Sequence, residues 1–435
     1  MTFIPPQPTR QSRSLWHHPD FFKLWCAQTV SQFGTQISLL ALPLVAVLHL
    51  NVNPFQFAVL GTVEFLPFVL ISLPAGVWVD RLPRRPILII ADLGRGISLV
   101  SIPVAYLLDA LTIWQLYAVG FINGVLTVFF DIAYQSYLPS LVDRGQINEG
   151  NAKLETSRSA AQIAGPGVAG GLIAVIGAPF SILVDSLSFI GSALYVFLIG
   201  KRELAAERHP DKHGGSRRDM RAEIGEGLSY VLGHRYLRNI AACTSISNFF
   251  GSVAFSIFLL YVAREIGLSP GVIGLVLAVG NVGVLAGAIL ANPMARILGV
   301  GQTILLSAIV VGPSALLVPL APREPGQLTI FMLAAAGFIG GFGTVVYNIN
   351  QVSLRQALTP ERMQGRMNAT MRFIVWGTIP AGQILGGVIA SAFGTAAALW
   401  VGSIGGLFGF LPILFSAVAS IGEMPAAVEE ETFRD

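Results

Sequence analysis

The sequence predicts an all-α integral membrane protein with twelve transmembrane helices in two pseudo-symmetric six-helix bundles. The first observation is composition: the 435 residues are 53% apolar and only 12% charged, whereas about a quarter of the residues of a soluble domain are charged. The second observation is that the apolar residues form long runs. The third is that the two halves of the chain repeat each other.

Each apolar run is long enough for a helix of about 20 residues to cross a bilayer. The runs lie at residues 22–48, 55–79, 86–108, 113–137, 158–177, 179–199, 238–262, 271–290, 302–320, 328–350, 369–391 and 395–420. Because their number is even, both ends of the chain are expected on the same side of the membrane.

The distribution of Lys and Arg predicts on which side of the membrane both termini lie, because cytoplasmic loops carry an excess of these residues. With the N-terminus inside, the outer loops hold only Arg264 and Arg323, and Arg95 lies within the third run. The other Lys and Arg residues fall in the inner loops, in the linker, at the termini or at the inner ends of the runs. Both termini are therefore predicted to be cytoplasmic.

The second half of the chain repeats residues of the first at a nearly constant offset, as parallel six-span repeats do. The matching sets are Cys26, Phe33, Gly34, Gly170 and Gly171, and Cys243, Phe250, Gly251, Gly386 and Gly387. We therefore predict an N-terminal bundle over 1–200, a cytoplasmic linker with an amphipathic helix over 201–237, a C-terminal bundle over 238–420 and an acidic cytoplasmic tail over 421–435. The basic part of the linker is expected to contact lipid headgroups rather than nucleic acid.

Polar side chains within the runs predict the helix faces that line a cavity, because such groups are costly against lipid. They follow helical spacing in the first and fourth runs and again in the seventh and tenth. Hydrogen bonding between helices is an equally good interpretation for the Ser and Thr residues. The predicted substrate contacts are Gln28, Gln32, Phe33, Asn123, Asn248, Phe250, Tyr347 and Asn348.

Three acids within the runs are candidates for proton coupling: Glu64, Asp131 and Asp185. An ionised carboxylate is costly in the bilayer, so such a group can bind and release a proton during transport. Glu64 could instead stay neutral or contact a cationic substrate. For Asp131 a gating bond to a basic residue, and for Asp185 helix packing, are the favoured alternatives. Asp92 and Arg95, one turn apart, are predicted to pair.

The segment between the second and third runs resembles a loop of the major facilitator superfamily, although Pro83 stands where the family has glycine. The matching positions are Gly76, Asp80, Arg81, Arg84 and Arg85. The resemblance implies a conformational gate at the contact between the two halves. Charge that only sets the topology is the alternative for the last two arginines.

The fifth run carries Gly165-Pro166, and a proline within a helix frees a carbonyl and kinks the helix. The pair is similar to the glycine–proline motif of facilitator antiporters, with three residues instead of two before Gly170-Gly171. A packing kink with no role in export is the alternative.

A longer resemblance covers Phe130–Pro139 and Asn151–Glu155 and extends along essentially the whole chain. These stretches look like the facilitator subgroup that includes bacterial enterobactin exporters and macrolide efflux proteins. The resemblance implies a monomer in the bacterial cytoplasmic membrane. It also implies proton-driven export, by alternating access, of an amphipathic drug, siderophore or secondary metabolite.

Two alternatives stay open at the level of sequence. One is an ion-independent facilitator or lipid flippase, and the other is a membrane sensor or scaffold that no longer transports. An enzyme is not expected, because no phosphate-binding loop, metal-ligand spacing or nucleophile–base arrangement stands out. No cofactor, metal or catalytic residue is predicted. The expected partners are the substrate, protons and membrane lipids.

Overall fold

The computed structural model describes residues 14–200 and 217–425, and these residues form helices joined by short turns. The α-helices are α1 (Pro19–Leu48), α2 (Pro54–Leu70), α3 (Ser72–Arg81), α4 (Arg84–Leu107), α5 (Ile113–Leu141), α6 (Ile147–Ile176), α7 (Ala178–Phe197), α8 (Arg217–Gly233), α9 (Leu237–Leu260), α10 (Pro270–Leu298), α11 (Val300–Leu320), α12 (Gln327–Ala357), α13 (Glu361–Phe393), α14 (Thr395–Gly406) and α15 (Leu411–Leu414). Within the described ranges, eleven helical segments are long and apolar enough to cross a membrane.

The second predicted span is divided into α2 and α3, and this pair completes the twelve. Helix α2 has 17 residues and begins with a capping box in which Asn53 and Gln56 bond each other's backbone N–H groups. The two helices are separated at Ile71. Pro74 lies in the first turn of α3 and has no N–H to continue the hydrogen bonding of α2. The prediction of twelve spans is confirmed, but the second span is not one continuous helix.

Several helices extend beyond the predicted apolar runs. Helix α6 covers 147–176 instead of 158–177, and α13 covers 361–393 instead of 369–391. Their first turns are polar, so apolar content alone could not predict where they begin. The last predicted span, 395–420, is broken after Gly406, and only the short α15 follows it.

The spans form two six-span halves, α1–α7 and α9–α15, and α8 packs against the second half. Arg366 Nη1 on α13 lies 2.6 Å from Glu226 Oε2 on α8, and the Tyr230 hydroxyl donates to the Leu358 carbonyl at 3.2 Å. The linker helix is therefore fixed to α13. The predicted tail is described only over Ile421–Pro425; its remaining residues, and linker residues 201–216, lie outside the described part.

The halves are joined by an apolar cluster at one end of the molecule. We call the end that carries Pro19 and Phe197 the linker end, and the end that carries the turn from Leu48 to Asn53 the distal end. At the distal end one apolar cluster includes residues of both halves, such as Ile37 of the first and Val276 of the second. At the linker end each half has its own cluster. The described residues therefore close the distal end more tightly than the linker end.

Glycines allow the two halves to approach closely near the distal end. A methyl group added at Gly274 of α10 would lie 2.3 Å from the Pro166 carbonyl oxygen of α6. One added at Gly170 would lie 2.5 Å from the Pro270 carbonyl oxygen. The backbones of α6 and α10 are thus in direct contact, as small residues permit between membrane helices.

Arg264 bonds the second half to the first at the distal end. It lies in a π-helical turn, Tyr261–Glu265, that continues α9. Its guanidinium donates to the Val52 carbonyl at 2.8 Å and to the Val47 carbonyl at 3.0 Å. Val47 lies in the last turn of α1 and Val52 in the connection to α2, so these two bonds cross the interface and stabilise the closed distal end.

We expect Arg264→Ala to open the distal end more often. Hydrogen bonds from a charged donor contribute about 1 kcal/mol or more, and 1 kcal/mol changes a two-state ratio roughly fivefold. The measurement is the maleimide labelling rate of a cysteine introduced at the buried Val52, with Cys26 and Cys243 replaced.

Arg323→Ala is the matched control, because Arg323 lies near Tyr261 within its own half. It should leave the labelling rate nearly unchanged. Equal rates in Arg264→Ala and the parent protein would show that the two bonds do not hold the end closed.

Candidate functional site

A cavity of about 550 Å³ lies between the two halves. Helices α1, α2 and α6 line it from the first half, and α9, α10 and α13 line it from the second. Its polar lining residues are Gln36, Glu64, Ser256, Asn281 and Gln383. Its aromatic lining residues are Phe57, Phe65, Phe68, Phe255 and Phe258. The cavity is therefore mostly apolar with a few polar groups, as small-molecule sites usually are.

Two glycines of α5 hold Glu64 in place at the edge of this cavity. A methyl group added at Gly120 would lie 2.9 Å from Glu64 Cγ, and one added at Gly124 would lie 2.7 Å from the Glu64 carbonyl oxygen. The four-residue spacing places both glycines on one face of α5, against α2. A larger side chain at either position would therefore clash with Glu64 unless α2 or α5 moved.

Glu64 is the carboxylate of the cavity, and the described lining contains no Lys or Arg. Among the described residues, its carboxylate has neither an ion pair nor a hydrogen bond. Three carboxamides, on Gln36, Asn281 and Gln383, are the other strong polar groups. Aromatic rings and one carboxylate suit a compound with an apolar body and a positive charge.

Gln162 and Asn281 form a polar contact between the halves beside the cavity. Pro166 has no N–H, so the carbonyl of Gln162, four residues earlier, has no partner within α6. The Asn281 Nδ2 group of α10 donates to that carbonyl at 2.5 Å. Pro166 and Asn281 both line the cavity. The carbonyl that Pro166 leaves without an intrahelical partner therefore has a donor on the opposite half. A kink at Gly165-Pro166 stays a prediction.

We expect Asn281→Leu to lower the thermal unfolding midpoint, because it leaves the half-buried Gln162 carbonyl without a donor. An unsatisfied buried acceptor costs about 1–3 kcal/mol. The midpoint of the purified protein is measured by scanning fluorimetry.

Pro166→Ala is the control, because an alanine N–H can satisfy the Gln162 carbonyl within α6. In that background Asn281→Leu should lower the unfolding midpoint clearly less. The coupling free energy between the two substitutions should be about 1 kcal/mol. Additive effects of the two substitutions would contradict the assigned contact.

The structure places the eight predicted substrate contacts outside the lining of this cavity. They are Gln28, Gln32, Phe33, Asn123, Asn248, Phe250, Tyr347 and Asn348. Asn123 Nδ2 donates to Ser98 Oγ on α4 at 2.8 Å. Asn248 Nδ2 donates to the Val375 carbonyl on α13 at 3.1 Å. In this conformation both amides connect neighbouring helices of one half.

The predicted aromatic contacts pack within the second half. The Tyr347 and Thr244 hydroxyl oxygens lie 2.7 Å apart, between α12 and α9. Phe250 packs against Gly405 of α14, where an added methyl group would lie 2.1 Å from its ring. Neither ring faces the described cavity.

One polar residue of α1 lines the cavity. Gln36 lines the cavity and packs against Gly165. Gln28 is buried, Gln32 and Phe33 are half-buried, and Asn348 on α12 is exposed. Substrate contact by these four residues stays a prediction.

The predicted gate is described in part. Gly76 is half-buried on α3, and the side chains of Asp80 and Arg81 lie outside the described residues. Arg85 donates to the Phe197 carbonyl at 2.5 Å and to the Val196 carbonyl at 3.3 Å, at the end of α7. These two bonds stay within the first half.

The other arginines near the predicted gate have separate environments. The Arg84 Nε atom is buried and has no hydrogen-bond partner among the described residues. Arg372, at the start of the eleventh run, stacks on Trp376 with its guanidinium 4.6 Å from the ring centre. A gating role for the segment stays a prediction.

Asp92 and Arg95 form the predicted ion pair inside the first half. Asp92 is 0% and Arg95 4% exposed. The Arg95 guanidinium lies 4.4 Å and 4.1 Å from the ring centres of Phe130 and Phe189, and it donates to Thr127 Oγ1 at 3.4 Å. Two rings and a carboxylate thus replace water around this charge.

The other two acids predicted for proton coupling lie near this pair rather than in the cavity. Asp185 is 1% exposed and accepts a hydrogen bond from Ser188 Oγ at 3.0 Å. Gly34 of α1 covers it closely, because a methyl group there would lie 2.3 Å from Asp185 Oδ1. Asp131 is exposed on α5, within electrostatic range of Arg95. Proton coupling by either acid stays a prediction.

We expect Asp92→Asn to destabilise the protein severely, because it leaves the buried Arg95 without its counter-charge. Breaking a buried ion pair from one side costs about 3–5 kcal/mol. The readout is the yield of monodisperse protein and its thermal midpoint.

The double variant Asp92→Asn/Arg95→Met removes both charges and should recover part of the loss. A double variant no more stable than Asp92→Asn alone would contradict this account.

Sequence reasoning missed several cavity residues. Asn281 is the only strongly polar residue between Pro270 and Asn292, and a lone amide in a span was a usable signal. Gly120 and Gly124 are four residues apart, which is the spacing of close helix contacts. Gln383 is a carboxamide within the eleventh run and carried the same signal, but only the position of α13 relative to α2 brings it to the cavity.

The chain matches a protein-family model described as transmembrane secretion effector, over residues 14–432. The chain belongs to this family. Its members are transporters of the major facilitator superfamily rather than enzymes. One relative is the multidrug efflux pump Tap of Mycolicibacterium fortuitum, 27% identical over 371 residues that cover 83% of this chain and 87% of the relative.

Another relative, macrolide efflux protein A of Streptococcus pyogenes, is 27% identical over 184 residues, which cover 41% of this chain and 44% of that protein. Among solved structures, a bacterial homologue of the iron transporter ferroportin in an inward-facing state has a TM-score of 0.73 at 16% identity, covering 91% of this chain and 98% of that chain. The nucleoside transporter NupG has a TM-score of 0.68 at 11% identity, covering 92% and 98%. These two likenesses establish the fold, and the resemblance predicted from sequence is confirmed.

Proposed function

We propose that this multi-pass membrane transporter exports amphipathic small molecules that carry a positive charge, in exchange for protons. The observation that carries the proposal is Glu64, the one carboxylate in a described cavity lined by aromatic rings and free of Lys and Arg. Efflux by the relatives Tap and macrolide efflux protein A supports export of drug-like compounds. A siderophore or secondary metabolite with the same chemistry would suit the cavity equally well.

Coupling would follow from competition at the Glu64 carboxylate. A cation and a proton both neutralise it, and an empty ionised carboxylate is costly in so apolar a cavity. Binding of one therefore favours release of the other, which is what exchange requires. Asp131 and Asp185 are further candidates, but they lie outside the cavity, so competition with substrate would have to act on them indirectly.

The direction of transport rests on the distribution of charge. Lys and Arg are concentrated at the linker end, which we assign to the cytoplasm. The distal end, which the described residues close, would then face the outside, and the cavity would load from the cytoplasm. Rocking of the two halves, with the segment from Gly76 to Arg85 as a gate, would expose the cavity outside. The protein would act as a monomer in the bacterial cytoplasmic membrane.

We expect Glu64→Gln to abolish proton-driven efflux, because the amide neither binds a proton nor attracts a cation. The experiment uses pump-deficient cells that express the protein and measures accumulation of lipophilic cations, macrolides, tetracyclines and siderophores. Wild-type protein should lower accumulation of at least one cationic compound, and an uncoupler should restore it. Cells with Glu64→Gln should resemble cells without the protein.

Asp109→Asn is the matched control. It removes one carboxylate in the turn between α4 and α5, where the backbone has φ +52°, a conformation that Asn also adopts. Its efflux should equal that of the wild type. Efflux that an uncoupler does not change would favour an ion-independent facilitator or flippase, and no flux of any compound would favour a sensor or scaffold.

A further inference from the structure

An apolar groove of about 200 Å³ lies within the second half, between α9, α11 and α14. Its lining is formed mainly by small and apolar residues, with two serines. The groove lies beside the central cavity but is not part of it. The helix faces predicted from sequence did not indicate it, because no polar stripe marks its walls.

Two phenylalanines separate the groove from the central cavity. Phe255 and Phe258 of α9 line both spaces. Phe255 is 69% exposed, so its ring can change rotamer without displacing a packed neighbour. Movement of this ring would connect the groove to the cavity that contains Glu64.

The glycines of the groove leave space that no neighbour fills. A methyl group added at Gly251 or Gly406 would have no atom of another helix within 4 Å. Gly402 differs, because a methyl group there would lie 2.6 Å from the Ala254 backbone nitrogen. Close helix packing therefore accounts for Gly402, whereas Gly251 and Gly406 enlarge the groove itself.

We propose that this groove receives the apolar tail of a cationic amphiphile whose charged head lies at Glu64. The proposal rests on the proposed function, and it narrows the substrate class to compounds with one cationic head and one flexible alkyl chain. The occupant follows from continuity, because the groove meets the charged cavity at Phe255 and Phe258 and has an apolar lining of its own. The tail passes between the two rings, and the aromatic faces contact the chain and the cationic head.

The size of the groove sets the length of the tail. A methylene group takes about as much space as a water molecule, roughly 30 Å³, so the groove holds a chain of roughly six carbons. Each methylene transferred from water into it should strengthen binding about fourfold. Affinity should therefore rise with chain length and then level off once the groove is full.

The experiment measures binding of alkyltrimethylammonium ions, from butyl to hexadecyl, to the full-length protein in lipid nanodiscs. Empty nanodiscs correct for partition of each ion into lipid. Wild-type protein should show the rise and the plateau. Gly251→Leu and Gly406→Leu place a side chain in the open space of the groove, so they should flatten the rise while the butyl ion binds as in the wild type.

Gly191→Leu is the matched control, because a methyl group there also meets no neighbour but the position lies on α7 in the first half. It should keep the wild-type dependence on chain length. The same dependence in both groove variants, or loss of butyl binding in both, would overturn the groove assignment alone. Failure of the wild type to bind any of the ions, or equal binding by Glu64→Gln, would overturn the proposed cation site as well.

Discussion

An ionised group inside a bilayer needs a counter-charge, a proton or a water-filled cavity, and the first half of this protein is built around that requirement. Asp92 and Arg95 satisfy each other between two phenylalanine rings. Glu64 has no such partner among the described residues and faces the cavity instead. The two arrangements suit different roles. Asp92 and Arg95 are already paired in the interior and are not available to a transported compound, whereas Glu64 is.

Close helix contacts at glycine positions fix where the buried acids of the first half lie. Gly120 and Gly124 bring α5 against the backbone of Glu64, and Gly34 brings α1 against Asp185. Between the halves, Gly170 and Gly274 let the backbones of α6 and α10 touch. Since lipid gives little apolar driving force for helix association, such contacts and a few hydrogen bonds position the spans. At the contact between α6 and α10, the directional hydrogen bond from Asn281 to the carbonyl freed by Pro166 supplements the glycine packing.

The fold could be predicted from the sequence because bilayer thickness, apolar length and loop charge are properties of single segments. The cavity was harder, because it depends on how segments face each other. Glu64 and Gln36 line the cavity, and each is a polar group that is costly against lipid. Asn123 and Tyr347 fit the same periodicity, yet they bond α4 and α9. The position of a polar group on a helix indicates that it faces away from lipid. It does not indicate whether the group lines a cavity or bonds to a neighbouring helix.

The interruption at Ile71 separates the part of the second span that carries Glu64 from the part that leads into the arginine-rich turn. Helix α2 carries Glu64 and packs against α5 and α13, whereas α3 carries Gly76 and leads into the arginine-rich turn. A continuous helix would transmit any tilt of that turn along its axis to the carboxylate. With a break between them, the turn can change its angle while the carboxylate keeps its neighbours. Substitutions in α3 would then alter how fast the protein alternates between its states, and leave its affinity for cargo nearly constant.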